Sequence, residues 1–247
     1  MIHLIFPKKC PFCADVLESP SLEICPECEK IVERFYVVRE PVCKKCGKPL
    51  ADKQQEYCYD CKHHTRSFVK GICLFQYGYR AAEVKGKDLK YHSMGESMQR
   101  FKYQGSRTYA TYYIKKLMQV HGQELLKIRA QAIIPVPIHK KKYIKRGYNQ
   151  AEVLANELSK ALEIPVLSKF LIRSKETLAQ KELTQEQRIV NLMDGFIVPK
   201  PMSKLKRVIL IDDIYTTGAT MEACTRKLLE AGVREVYCVS ICSGQNG

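Results

Sequence analysis

The chain has 247 residues, and its 41 basic side chains against 26 acidic ones give a formal net charge of +15. This length suits one α/β domain with a smaller module, and the charge favours polyanionic partners such as nucleic acid or phosphorylated substrates. The short apolar start does not resemble a signal peptide, and no run approaches the ~18 apolar residues of a membrane span. We therefore expect a cytoplasmic protein without membrane insertion, whose twelve cysteines are metal ligands or core residues rather than disulfides.

Eight of the cysteines form four Cys-x₂-Cys pairs near the start of the chain. Two residues between cysteines let both sulfurs reach one tetrahedral ion, so two pairs complete a four-thiolate site. The repeated spacing favours two tandem zinc ribbons, although a crossed pairing of the first pair with the third, or a degenerate repeat with a single ion, also fits. The candidate ligands are Cys10, Cys13, Cys25, Cys28, Cys43, Cys46, Cys58 and Cys61.

A polar segment at residues 62–67 follows these pairs and predicts a domain boundary near residue 65. We expect a double zinc-ribbon module at residues 1–65 and a larger domain at residues 66–247. A segment as small and polar as the first one requires metal in order to fold, so a structural role for zinc is the simplest interpretation. The remaining cysteines lie in apolar segments and are expected to be buried core residues: Cys73, Cys224, Cys238 and Cys242.

The segment from Arg207 to Thr220 is the most informative part of the sequence. An apolar, β-branched run ends in two carboxylates, a loop rich in Thr and Gly follows, and a helical pattern starts at Met221, which predicts a strand, a loop and a helix. Backbone N–H groups in such a loop, together with a helix N-terminus, bind phosphate. Asp212 and Asp213 are suited to sugar hydroxyls or to a bridging Mg²⁺. The expected ligand is therefore a phosphate beside a ribose.

Residues 208–220 resemble the phosphoribosyl pyrophosphate (PRPP) signature of type I phosphoribosyltransferases. The resemblance implies that the acidic pair holds the ribose hydroxyls, that the Thr-rich loop holds the 5′-phosphate and that Mg²⁺ accompanies PRPP. It also implies the fold class, α/β with a type I phosphoribosyltransferase fold, in which helices flank a parallel sheet. The candidate PRPP-binding residues are Asp212, Asp213, Ile214, Tyr215, Thr216, Thr217, Gly218, Ala219 and Thr220.

Further elements narrow the resemblance to the ComF/GntX family of competence-related phosphoribosyltransferase homologues. The segment Phe101-Lys-Tyr-x-Gly105 is similar to the Leu-Lys-Tyr-x-Gly element of that family, and Arg146-Gly-Tyr-Asn-Gln150 is similar to its Arg-Gly-Phe-Asn-Gln element. The resemblance also implies a pyrophosphate loop at Val136 and Pro137, with Lys102 as a further contact. The segment at residues 173–196, which contains a Thr-x₂-Gln pattern ending at Gln180, resembles the region whose loop closes over PRPP.

A dense run of positive charge follows the pyrophosphate loop. Lysines follow the phosphates of single-stranded nucleic acid while aromatic rings stack on its bases, although contact with pyrophosphate or plain solvent exposure also fits such a run. The candidate nucleic-acid residues are Lys140, Lys141, Lys142, Lys145, Arg146 and Tyr148.

Three functions fit the sequence. The first is a ComF-type competence protein that binds PRPP and supports DNA uptake by handling single-stranded DNA, with other DNA-uptake proteins as partners. The alternative is a metabolic phosphoribosyltransferase that transfers ribose 5-phosphate from PRPP to a base or amine. Such catalysis depends on positioning and charge stabilisation and needs no nucleophilic side chain. The third is a zinc-containing adaptor whose PRPP site is vestigial.

Overall fold

A parallel four-stranded sheet forms the centre of the computed structural model, which describes residues 7–77, 93–174, 185–199 and 204–244. Its strands follow the order β1-β6-β5-β2, and a bridge between Ile133 and Val166 extends it beyond β2. A short antiparallel pair, β3 with β4, forms a second sheet. The strands are β1 (Gly71–Gln76), β2 (Ala132–Pro135), β3 (Ile172–Arg173), β4 (Phe196–Ile197), β5 (Arg207–Tyr215) and β6 (Glu235–Ser243).

Helices cover both faces of this sheet, as the predicted fold class requires. The helices of the described residues are α1 (Pro26–Phe35), α2 (Tyr59–His63), α3 (Met94–Tyr103), α4 (Tyr109–Ile128), α5 (Lys140–Arg146), α6 (Gln150–Leu162), α7 (Gln185–Met193) and α8 (Ala219–Glu230). Alternate residues of β5 point to opposite faces: Ile209 and Ile211 pack towards α4 and α6, while Val208 and Leu210 pack towards α8. Burial on both faces explains why β5 is an almost continuous apolar run.

The two cysteine-rich segments lie on opposite faces of the sheet near its β1 edge. The first, represented by Phe12 and Val32, shares a core with α4 and α6. The second, represented by Leu50 and Cys58, shares a core with α8. Between them the chain pairs with β1 itself, because Val38 N–H donates to the carbonyl of Leu74 at 2.8 Å. The exposed edge of the sheet is thereby covered, which protects it from pairing with other chains.

The predicted boundary near residue 65 falls between α2, which ends at His63, and β1, which begins at Gly71. It stays a prediction, because side chains from both sides of it share the same two cores. Polar contacts also cross it: Arg100, buried on α3, donates to the carbonyls of Pro11 (3.0 Å) and Phe12 (2.5 Å). The four cysteines outside the pairs are buried in these cores, as predicted. In the described ranges no helix has both the length and the hydropathy of a membrane span.

The second cysteine-rich segment approaches β1 so closely that it requires glycine. Gly47 adopts a left-handed φ of 76°, and a Cβ atom there would lie 2.6 Å from the carbonyl oxygen of Gly71. We expect Gly47→Ala to lower the free energy of unfolding by about 2–4 kcal/mol, because backbone strain adds to steric overlap. The measurement is urea denaturation of zinc-loaded protein.

Gly105→Ala is the matched control for this substitution. Gly105 has a similar φ of 69°, but a Cβ atom there would meet nothing within 4 Å. Strain alone should then cost about 1 kcal/mol. Equal losses for the two variants would contradict the close approach of Gly47 to β1.

Candidate ligand site and metal clusters

The predicted phosphate loop lies at the carboxyl edge of the sheet, between β5 and α8. Thr216 and Thr217 are exposed, and Gly218, with a φ of 79°, is the N-cap residue of α8. The N–H groups of the first helical turn and the positive end of the helix dipole suit a phosphate group. Parallel pairing places Pro135 opposite Ile211, so the chain leaves β2 beside the acidic pair that follows Ile211.

The predicted pyrophosphate loop is held in place by an asparagine that follows α5. Val136 N–H continues the ladder by donating to the carbonyl of Ile211 at 2.9 Å. The side-chain amide of Asn149 donates to the carbonyl of Val136 at 3.1 Å, and its oxygen caps α6 by accepting from Ala151 N–H at 3.1 Å. Both Val136 and Pro137 are buried, so only their backbone is suited to contact a ligand.

The two carboxylates of the acidic pair have different surroundings. Asp213 is buried, and its Oδ2 lies 3.0 Å from Nζ of Lys102, which comes from α3. Asp212 is half-buried and accepts the backbone N–H of Asp213 at 2.8 Å. Burial and the negative charge of Asp213 raise the pKa of Asp212 to about 8. The structure thus brings the predicted pyrophosphate contact, Lys102, to the predicted ribose-binding pair.

The two short elements that carried the sequence resemblance contact each other directly. One forms the end of α3 and the other follows α5, more than forty residues later. Three side-chain hydrogen bonds join them: from Tyr148 to the carbonyl of Phe101, from Gln150 to the carbonyl of Lys102 (3.3 Å) and from Arg146 to the hydroxyl of Tyr103 (3.2 Å). The second element therefore holds the backbone that carries Lys102.

The prediction that Tyr148 stacks on nucleobases is wrong, because its side chain is buried. It is only 5% exposed, and its ring packs against Phe101 and beneath Arg107. The exposed ring at this place is Tyr103, at 51% exposure, with the Arg146 guanidinium 5.0 Å from its centroid. The hydrogen bond from Arg146 lowers the pKa of Tyr103. The sequence contained no local signal to distinguish the two tyrosines.

The basic run forms helix α5 and lies beside Lys102, the lysine that contacts Asp213. Lys140, Lys141, Lys142 and Lys145 are exposed on this helix. Partial burial and the nearby guanidiniums of Arg173 and Arg146 lower the pKa of Lys142. Arg173 was not identified from the sequence, because it lies on β3, far along the chain. Cations held this close to one another are suited to binding a polyanion.

The eight paired cysteines form two groups of four. Within each group the sulfurs all lie within 4.8 Å of one another. The members are Cys10, Cys13, Cys25 and Cys28 in the first cluster and Cys43, Cys46, Cys58 and Cys61 in the second. This confirms the tandem pairing and excludes the crossed one.

Both clusters fit zinc. The sulfurs of Cys13 and Cys25 are 3.8 Å apart and those of Cys46 and Cys58 are 3.6 Å apart, close to the ~3.8 Å edge of a zinc tetrahedron with bonds of about 2.3 Å. A hydrogen bond from Cys28 lowers the pKa of Cys10 to about 5. Four converging thiols with one already acidic are the donor set that a structural zinc ion takes.

Comparisons with known protein families find matches in both the N-terminal and the C-terminal part of the chain. Residues 1–62 match the double zinc ribbon domain, and residues 147–247 match the phosphoribosyl transferase domain. Competence protein F of Haemophilus influenzae is 30% identical over 237 residues, which cover 94% of this chain and 95% of that protein. The chain belongs to the competence protein F (ComF) family. The expected type I phosphoribosyltransferase fold and the double zinc ribbon are thereby confirmed.

Other relatives of this ComF-family chain span most of its length as well. Competence protein ComFC of Streptococcus pneumoniae is 26% identical, with 92% of this chain and 90% of that protein covered. DNA utilization protein YhgH of Salmonella typhimurium is 25% identical, with 97% of this chain and 98% of that protein covered. The chain is therefore similar along most of its length to relatives whose names refer to competence or to DNA utilization.

Some residues predicted to bind PRPP in the ComF site have other positions. The prediction that Tyr215 contributes to PRPP binding is corrected for its side chain, which is buried. It packs against the second cysteine-rich segment, with Lys48 Nζ 5.8 Å from its ring centroid. Its ring occupies the space next to Gly218, where a Cβ atom would lie 2.1 Å from the Tyr215 hydroxyl. Ile214 packs partly into the core on the opposite face. Gln180 lies outside the described residues.

The raised pKa of Asp212 predicts a pH-dependent cost to stability in this ComF-family protein. Its carboxyl stays protonated in the folded state up to about pH 8 but ionises in the unfolded state above its ordinary value of 3.8. The stability contribution of this group therefore falls as pH rises from about 4 to about 8. We expect Asp212→Asn to raise the free energy of unfolding by about 1–3 kcal/mol at pH 8.5, and by less at pH 6.

Urea denaturation without PRPP or Mg²⁺ measures this effect. Asp213→Asn is the matched control, because it leaves Lys102, 3.0 Å away, without its carboxylate and should not stabilise the protein at either pH. A loss of stability in Asp212→Asn at pH 8.5 would show that this carboxyl is not held in its neutral form.

Proposed function

We propose that this protein binds PRPP together with Mg²⁺ at the carboxyl edge of β2 and β5. The observation that carries the proposal is the contact of Lys102 with Asp213, 3.0 Å, next to the loop between β5 and α8. One small region then offers N–H groups for a phosphate, carboxylates for sugar hydroxyls and a cation for pyrophosphate. The match of residues 147–247 to the phosphoribosyl transferase domain supports the same ligand.

Each part of the site has a separate role in this proposal. The backbone and hydroxyls of residues 216–220 hold the 5′-phosphate, and Asp212 and Asp213 accept hydrogen bonds from the ribose hydroxyls. Lys102 and the backbone at Val136 and Pro137 hold the pyrophosphate. Mg²⁺ would neutralise part of the pyrophosphate charge. Because the Asp213 carboxylate pairs with Lys102 before PRPP arrives, the site keeps a partly buried lysine without leaving its charge unpaired.

The proposal is tested by calorimetry with PRPP and Mg²⁺ on the zinc-loaded protein. Replacing both Asp212 and Asp213 by Asn should weaken PRPP binding at least ~100-fold, because each hydrogen bond to a charged group contributes about 1.5–3 kcal/mol. Glu230→Gln, which neutralises an exposed acid at the far end of α8, is the control and should bind as the wild type does. Unchanged affinity in the double variant would reject the acidic pair as the ribose site.

The same residues support enzymatic transfer as a second candidate. A carboxylate pair next to the ribose also stabilises the positive charge that grows on the ring as pyrophosphate leaves. Pyrophosphate release on addition of nucleobases or amines would favour the metabolic alternative. Binding without turnover favours the competence role, and no binding at all favours the adaptor with a vestigial site.

We also propose that the protein acts in DNA uptake, in the cytoplasm, by binding single-stranded DNA through α5 and Tyr103 together with other uptake proteins. Two relatives are named for competence and one for DNA utilization. The supporting geometry is an exposed ring at Tyr103 beneath Arg146 (5.0 Å) and Lys145 (5.9 Å), continuous with the lysines of α5. Proteins that bind single-stranded nucleic acid generally stack aromatic rings on the bases and place cations beside the phosphates.

Replacing Lys140, Lys141 and Lys142 by Glu should weaken binding to an oligothymidine strand and reduce its salt dependence. Loss of three phosphate contacts lowers the slope of log K against log salt by about 2. Tyr103→Ala should weaken binding about tenfold with the slope unchanged, because stacking releases no counterions. Fluorescence anisotropy over a salt series measures both.

The matched control places the same charge change on another surface. Lys115, Lys127 and Lys160 are exposed on α4 and α6, and replacing these three by Glu should leave most of the affinity intact. If both triple variants lose binding equally, the effect is one of net charge, and α5 is not the binding surface.

A further inference from the structure

Arg66 connects the second metal cluster to the phosphate loop. It lies in the segment between α2 and β1 and is only 5% exposed. Its Nη2 donates to the carbonyl of Thr217 at 2.7 Å, and its guanidinium also interacts with the thiol of Cys61. One buried side chain therefore contacts both a cysteine of the second cluster and the backbone of the loop.

The bond to Thr217 controls which way the loop's N–H groups point. The carbonyl of Thr217 and the N–H of Gly218 belong to one planar trans peptide, in which they point in opposite directions. Because Arg66 holds this carbonyl towards the protein interior, the Gly218 N–H is directed away from it, towards the ligand side of the loop. Without Arg66 the carbonyl of Thr217 would lose this hydrogen bond, and the peptide would gain freedom to turn.

The residue after Arg66 fixes the same segment to helix α8. Ser67 donates to the carboxylate of Glu222 through its backbone N–H (2.8 Å) and through its hydroxyl (2.6 Å). Glu222 lies in the first turn of α8, is fully buried, and also accepts from Arg226 at 2.8 Å. The connection from the second cluster thus holds both the loop and the start of the helix that follows it.

The charges around the second cluster fit a bound metal ion. A zinc ion with four thiolates carries a net charge of about −2. Two buried cations lie next to it: Lys48, 2% exposed and 3.1 Å from Asp60, and Arg66. Among the described residues, Nε and Nη1 of Arg66 are buried without a hydrogen-bond partner. Thiolates held by a metal would add negative charge beside this guanidinium, in addition to that of the buried carboxylate of Glu222.

We propose that Arg66 is a positioning residue that couples metal binding in the second cluster to the conformation of the phosphate loop. Metal stabilises the thiolates, the thiolates hold the guanidinium, and the guanidinium orients the Thr217–Gly218 peptide. By linkage, a ligand that needs this peptide orientation strengthens retention of the metal by the same factor. The consequence for PRPP rests on the proposed function, whereas the coupling of metal to loop exists without any ligand.

The coupling is tested first without ligand, by hydrogen–deuterium exchange on the full-length, zinc-loaded protein. In Arg66→Met, exchange in residues 216–220 should be about tenfold faster than in the wild type. Arg66→Lys keeps the cation but lacks the planar fork that reaches two partners, so it should retain two zinc ions per chain and still show faster loop exchange. Unchanged exchange in both variants would overturn the proposal.

Arg100 provides the matched control, because it is a second buried arginine that binds carbonyls beside a cysteine cluster. Arg100→Met should speed exchange in residues 94–103 and leave residues 216–220 unchanged. If it loosens the phosphate loop as much as Arg66→Met does, the effect reflects general destabilisation, and the specific role of Arg66 is rejected.

The reciprocal effect is measured by the rate at which a chromogenic chelator removes zinc. PRPP with Mg²⁺ should slow the release of one of the two ions several-fold in the wild type but not in Arg66→Lys. If PRPP binds and slows neither ion, the coupling is wrong. If calorimetry shows no PRPP binding while Arg66→Lys still loosens the loop, the proposed ligand is wrong and the role of Arg66 in positioning the loop stands.

Discussion

Parallel pairing between β2 and β5 decides where the chemistry of this protein lies. Because the two strands run side by side and end together, with Pro135 opposite Ile211, the segments that follow them emerge at one edge of the sheet. Parallel α/β sheets generally bind ligands at that edge. Helix α3 adds Lys102 from outside the sheet, and the contact of this lysine with Asp213 joins three distant parts of the chain in one site.

The zinc ribbons support this edge rather than standing apart from it. They lie on opposite faces of the sheet, and each contributes to one of the two cores. Buried arginines connect each ribbon to one part of the ligand site, Arg100 to helix α3 and Arg66 to the phosphate loop. Since neither ribbon has a sizeable core of its own, bound metal and packing against the sheet together provide its stability.

The candidate ligand site contains groups that lower the stability of the fold. Asp212 has a raised pKa because it is held next to another carboxylate, and Lys102 is kept partly buried. Such arrangements persist when function requires them, since a stabilising residue would remove the carboxyl and amino groups that a ligand needs. Tyr215 packs tightly against Gly218, and Gly47 packs tightly against β1. These contacts limit the movement of the segments that surround the site.

Local patterns in the sequence determined the metal ligands and the strand–loop–helix around Asp212, because ligand spacing and periodicity act over a few residues. The parallel α/β class was implied by the resemblance to type I phosphoribosyltransferases. Only the tertiary structure decided which side chains meet. Tyr148 is buried while Tyr103 is exposed, and Arg66 reaches Thr217 from about 150 residues away. The direction of a side chain depends on neighbours brought together by folding, and no spacing along the chain records them.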